Sequence, residues 1–215
     1  MNDDESSNPY STPETTNILN DDVRETLDHP VTSLVDTKTC AYLSIFGIIS
    51  SLIGDLYYSY VYIFNDLYSE QLENTAAVFL YITGFVFFFW SSKTMQNSWN
   101  LARLKNLPTP SITPGWSIAW YFIPIASLWK PFEAMKEMWT ATFGQGKSAV
   151  LVAVWWTGWV GSSITNFVYI MNENLDDNLM VSISSTFFLV SGLALIKIIK
   201  SLTDRQQEYK NPSNS

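Results

Sequence analysis

Residues 116–129 read WSIAWYFIPIASLW, fourteen positions without a charge, and whether they cross a bilayer decides the fold. As a helix they would extend about 21 Å against a hydrocarbon core of about 30 Å. Pro124 interrupts the stretch, and Pro108, Pro110, Pro114 and Pro131 flank it. Length therefore predicts a re-entrant or interfacial element rather than a span, and the charges on either side supply an independent test.

Working outward, four apolar runs have spanning length or nearly so: about 41–64, 75–92, 149–171 and 179–200. If residues 116–129 do not cross, connections 65–74 and 172–178 share one side. They hold Asp66, Glu70, Glu73, Glu173, Asp176 and Asp177 and no Lys or Arg, and all 12 basic residues of the chain fall on the other side. If residues 116–129 do cross, the bases split as five against seven. Cytoplasmic loops carry the excess of Lys and Arg, so the first arrangement is strongly preferred. The expected fold class is an all-α integral membrane protein: four transmembrane helices plus a Pro/Trp-rich re-entrant or interfacial element at 108–130. Both termini are expected to be cytoplasmic, in a bacterial inner membrane protein of multi-pass type.

From Pro131, a natural first helical residue, Phe132, Met135, Met138, Trp139 and Phe143 recur at helical spacing, with Glu133, Lys136, Glu137 and Thr140 opposite. This predicts an amphipathic cytoplasmic helix over 131–143, lying along the membrane surface. Residues 1–40 hold nine acids against two bases amid Ser, Thr, Asn and Pro, too little apolar surface to offset the entropy of ordering. Residues 1–36 thus read as a disordered acidic cytoplasmic tail, solvated or partner-binding, without the basic and apolar regions of a cleavable signal peptide. Residues 203–215 read as a polar cytoplasmic tail.

The composition excludes several classes of function. One cysteine (Cys40) and one histidine (His29) leave no disulfide scaffold, no His/Cys metal site and no Ser-His pair, and hence no cofactor or metal. A net charge of −8 without a basic stripe argues against nucleic acid. Gly144-Gln-Gly-Lys-Ser148 has Ala141 where a phosphate loop needs glycine, and follows a helix, so it reads as a hinge. Asp55 is the one acid inside a span, which makes it a functional candidate because a carboxylate in hydrocarbon is costly. Its nearest polar candidate by inferred depth is Asn166 on the third span; Tyr57 and Tyr58 beside it favour the outer interface. Gly158, Gly161 and Ser162, and likewise Gly47 and Gly54, mark faces where helices can approach closely.

Residues 97–143 carry an ordered series: Trp99-Asn100 closing a helix, Pro114-Gly115-Trp116, Trp120, Phe-Ile-Pro124, Leu-Trp129-Lys130-Pro131 and Met135-x-x-x-Trp139, and then the Trp155-Trp156 pair opens the next span. The series resembles the bacterial membrane proteins grouped as domain-of-unknown-function family 4328, over roughly residues 40–200 and most specifically 99–159. That family commonly has Asn where this chain has Ala126-Ser127, so a role for that amide does not carry over. The resemblance implies an architecture, not an activity. The residues named in the series form a candidate collar for partner or lipid contact, and Asp55 with Asn166 a candidate intramembrane polar site. The leading expectation is a non-catalytic component that contacts membrane lipids and either a protein partner or a second copy of itself. An oligomeric transporter using Asp55 and an intramembrane lipid-modifying enzyme are the alternatives.

Overall fold

The computed structural model describes residues 34–65, 70–172 and 174–210. Most of the acidic head, residues 1–33, and the last five residues lie outside them. The described residues form helices and turns in the order α1 (Lys38–Asn65), α2 (Glu70–Leu104), α3 (Trp116–Ala119), α4 (Lys130–Phe143), α5 (Val150–Met171) and α6 (Asp177–Lys210). Two single 3₁₀ turns, Trp120–Phe122 and Ala126–Leu128, join α3 to α4. Three helices are long and apolar enough to cross a membrane: Lys38–Phe64, Asn74–Leu104 and Asp177–Lys210. The fourth long helix, α5, has 22 residues and no charge. Trp155, Trp156 and Trp159 on it suit the membrane interface, and Ser162, Ser163, Thr165 and Asn166 are polar.

The long helices form an arc. α1 packs on α2 and on α6, and α6 packs on α5 along much of its length, whereas α2 and α5 form no packed interface with one another. Glycines set two of these approaches. A Cβ on Gly158 would stand 2.9 Å from the Phe187 carbonyl oxygen and from Ser191 Cβ, and one on Gly47 would stand 2.5 Å from Thr83 Oγ1. Gly54, by contrast, has nothing within 4 Å and marks no contact.

At one end, Tyr62 donates to Asp177 Oδ2 at 3.2 Å, joining the end of α1 to the start of α6. This is the acidic end. At the other, basic end, α2 and α6 run on for several turns past Lys93 and Lys200. Here one expectation is corrected: residues 203–210 are helix rather than tail, with Leu202, Thr203, Gln206 and Gln207 buried. The helix that holds the apolar run 75–92 continues through Trp99-Asn100, read as closing a helix, to Leu104. α4 packs across both extensions. The expected surface helix at 131–143 is therefore a packed one. It turns Ala134, Met135, Met138 and Ala141 onto α2, α5 and α6, with Met135 and Met138 only 1% exposed. Burial of these side chains from water is worth roughly 1.5–3 kcal/mol for each of the large ones.

α4 is well delimited. Pro131 sits in its first turn and Glu133 complements the helix dipole there. Gly144, at φ +97°, ends it, its N–H bonded to the Thr140 carbonyl at 2.8 Å. Lys105 at the end of α2 donates to the carbonyls of Ala141 (3.2 Å) and Thr142 (2.8 Å), satisfying acceptors that a helix C-terminus leaves open.

The fully buried large side chains, including Trp90, Met95, Leu101, Ile198 and Leu202, all belong to the basic half. So does a polar network. Asn97 Nδ2 donates to the Val35 carbonyl (2.9 Å) and to Gln206 Oε1 (3.1 Å), and Asn97 Oδ1 accepts from the Val35 N–H (2.8 Å). Gln206 Nε2 in turn reaches Thr142 Oγ1 at 3.2 Å, and Trp90 Nε1 donates to Thr203 Oγ1 at 3.0 Å. Residues 34–36, at the end of the expected tail, are thereby held on α2. Leu34 is buried beside them, and Asp36 accepts from Gln207.

Candidate functional site

Because the arc is closed at the basic half and open between α2 and α5 at the acidic half, it leaves a cleft of about 530 Å³. Asp55 and Ser51 line it from α1, Ala76, Ala77 and Leu80 from α2, Trp159, Ser163 and Asn166 from α5, and Ser184, Ser185 and Phe188 from α6. The two polar residues singled out in separate spans, Asp55 and Asn166, thus face the same space. Asp55 lies ten residues before the end of α1, about 15 Å along the axis from the acidic end. It is half-buried, with the Ser185 hydroxyl within hydrogen-bonding reach.

Sequence reading missed the serines that shape this space. Ser185 bonds Ser59 Oγ at 2.7 Å, joining α6 to α1, and its neighbour Ser184 bonds Ser162 Oγ at 3.0 Å, joining α6 to α5. Adjacent serines 100° apart on one helix can each satisfy a different neighbour. The run Ser182-Ile-Ser-Ser185 was the available signal, but serine is common in spans and its partners lie on other helices.

Below the cleft, Ile48, Leu52, Phe87, Trp90 and Trp155 belong to one buried core cluster, so the space ends at a packed floor. Among the described residues, no Lys, Arg or His lines the cleft. Its chemistry is one carboxyl group, several hydroxyls and an amide, above apolar walls. That set can accept hydrogen bonds and hold a positive group. Among the described residues, no three His, Cys, Asp or Glu side chains come together to hold a metal.

The collar residues lie elsewhere, at the basic end, and bind one another rather than frame a cavity with Asp55. Trp99 Nε1 donates to the Ile112 carbonyl (3.0 Å) and Trp156 Nε1 to the Leu128 carbonyl (3.0 Å), so two indoles pin the Pro-rich segment to α2 and α5. Glu137 adds a third point by accepting from the Ile112 N–H (3.0 Å) and the Ser111 hydroxyl. Ser117 donates to the Pro114 carbonyl and Ser127 to that of Pro124, each at 2.7 Å, satisfying the turns that follow these prolines. Gly115 caps α3. Trp116 stacks on Trp120 (4.6 Å), whose ring lies 5.8 Å from the Lys130 ammonium; Lys130 also pairs with Glu133 at 2.6 Å. Asn100, Pro131 and Trp155 are buried, and Trp139 packs on Phe143. Tyr121, wedged against Phe87 and Phe88, has its phenol pushed up by burial and so stays neutral. Phe122, Ile125, Leu128 and Trp129 point outward as an apolar rim, the surface an interfacial segment presents to lipid. Cys40, at the entrance of α1, lies 3.7 Å from the Lys93 ammonium.

Residues 58–203, well over half of the chain, match a family described as a domain of unknown function, DUF4328, and the chain belongs to that family. No curated protein and no solved structure matches it.

Proposed function

We propose that this DUF4328 member is a non-catalytic, four-span protein of a bacterial cytoplasmic membrane that holds an amphiphilic ligand in the cleft between α1, α2, α5 and α6. The observation that carries this reading is the convergence of Asp55 and Asn166, 111 positions apart in the chain, on one space. An intramembrane carboxylate needs a compensating interaction, and a cleft with a gap between α2 and α5 gives a ligand both access and walls.

Four spans follow from packing and charge. α5 is uncharged, about 33 Å long by rise per residue, and lies against α6 along much of its length. With α5 as a span, every Lys and Arg falls at the basic end, which the positive-inside rule makes cytoplasmic together with both termini. The collar reads as architectural in this scheme, since Trp99, Trp156 and Glu137 are engaged within the chain. Contact with a protein partner then has less support than contact with a ligand, and the packed floor disfavours permeation through a single copy.

Two experiments test the proposal. With Cys40→Ser as background, a cysteine at position 71 is expected to react with an impermeant reagent added outside and one at position 106 is not; the reverse pattern refutes the topology. Ala77→Trp fills the lip of the cleft, and native mass spectrometry from mild detergent is expected to show loss of bound amphiphile relative to the natural protein. Equal occupancy in both would overturn the cleft as the site.

A further inference from the structure

Resting on that reading, we infer that the ligand carries its positive charge on an ammonium group, which pairs with Asp55 while its apolar chain leaves through the gap between α2 and α5. The charge follows from the lining. Among the described residues, Asp55 is the one carboxyl that lines the cleft, and neither Lys, Arg nor His lines it. The groups around it are hydroxyl and amide oxygens of Ser51, Ser185 and Asn166, which accept hydrogen bonds from an ammonium. Ser51, one helical turn before Asp55 on α1, lines the same space. An anionic or phosphate-only ligand would meet a like charge and no cation.

The field outside points the same way. The two connections at the acidic end hold six acids and no base by sequence, raising the local concentration of cations at that surface. Size and route come from the walls. A cleft of about 530 Å³ accommodates a head group and the first part of a chain. Ala76 and Ala77 make the α2 lip low, and Ile170 and Leu80 flank the gap with apolar surface. Trp159 lines the same space and offers its ring to a cation. The ammonium could come from a phosphatidylethanolamine head group or from a free alkylamine; the chemistry recognised is the same.

The test uses the full chain in phosphatidylcholine nanodiscs with two dansyl-labelled probes of equal chain length, one ending in a primary ammonium and one in a neutral hydroxyl. Energy transfer from tryptophan is the readout. The cationic probe is expected to bind saturably and more tightly than the neutral one. Asp55→Asn should weaken the cationic probe roughly tenfold, the loss of one charge-assisted contact, and leave the neutral probe unchanged; Asp55→Glu should retain the preference and shows that the fold tolerates change there. Competition by phosphatidylethanolamine included in the disc would identify the lipid as occupant, and absence of competition a free amine; either upholds the inference. Equal weakening of both probes, or no change in the cationic one, overturns it. Ala77→Trp separates the two levels: if it abolishes both probes while Asp55→Asn fails to discriminate charge, the cleft stands and the ammonium falls. If Ala77→Trp leaves both unaffected, the cleft itself is refuted.

Discussion

Asn97→Asp exchanges one atom for another of nearly equal size, so its effect reports hydrogen bonding and charge without a cavity. Asn97 is fully buried, and its amide nitrogen faces two acceptors, the Val35 carbonyl and Gln206 Oε1. A neutral aspartic acid there keeps Oδ1 as acceptor for the Val35 N–H and has one proton to give where two were given, a loss of about 1 kcal/mol. An ionised one gives none and sets a negative charge against two oxygens out of water. Its folded-state pKa is therefore raised, by three units or more for so buried a group, from about 3.9 in the unfolded chain. The sign follows: the variant's stability is retained below about pH 4 and is lost as pH rises toward the folded value. At 1.36 kcal/mol per unit, three units amount to about 4 kcal/mol between pH 4 and pH 7. Reversible unfolding by SDS in mixed micelles, followed for both proteins across that interval, measures the difference. A variant whose deficit is the same at pH 4.5 and pH 7, or stays under about 1 kcal/mol throughout, would show that Asn97 does not hold Val35 and Gln206 as described.

The other expectations concern packing and the collar. Gly158→Ala forces a Cβ within 2.9 Å of Phe187 backbone and should cost about 1–3 kcal/mol, while Gly54→Ala, with open space around it, should be neutral or stabilise by up to about 1 kcal/mol; thermal unfolding of the pair in one detergent checks the contrast. Glu137→Ala removes both acceptors that pin 111–112 and should cost about 1–3 kcal/mol, read as faster proteolysis confined to 105–115. Trp156→Phe keeps the ring and deletes the donor to Leu128; amide exchange should quicken across 123–129 and stay unchanged in α6.

What the sequence made legible was what depends on hydrocarbon. Long uncharged runs located the middles of α1, α2, α5 and α6, and Pro131 marked the start of α4 because a helix tolerates proline only in its first turn. The motif series led to the same family as the match over 58–203. The convergence of Asp55 and Asn166 was a guess from depth, and depth is what a helix's rise per residue supplies. The extensions past Lys93 and Lys200 were hidden for a complementary reason. Their buried face includes Asn97, Ser98, Thr203 and Gln206, which look like solvent-facing residues until α4 is placed over them. Which polar side chain meets which is a property of three helices at once, and no period along one chain encodes it. Ser184 and Ser185 were unreadable for the same cause.

The uneven packing has a mechanical corollary. With its pivot locked around Trp90, Met138 and Leu202 and its two free arms unjoined at the opposite rim, the arc works like a clothes-peg. Parting the tips of α2 and α5 disturbs only the contacts of the rim, whereas parting them at the pivot would break the interior. On the proposed ligand-binding reading, grip on a guest is accordingly elastic, tolerant of girth but strict about the charge that Asp55 selects.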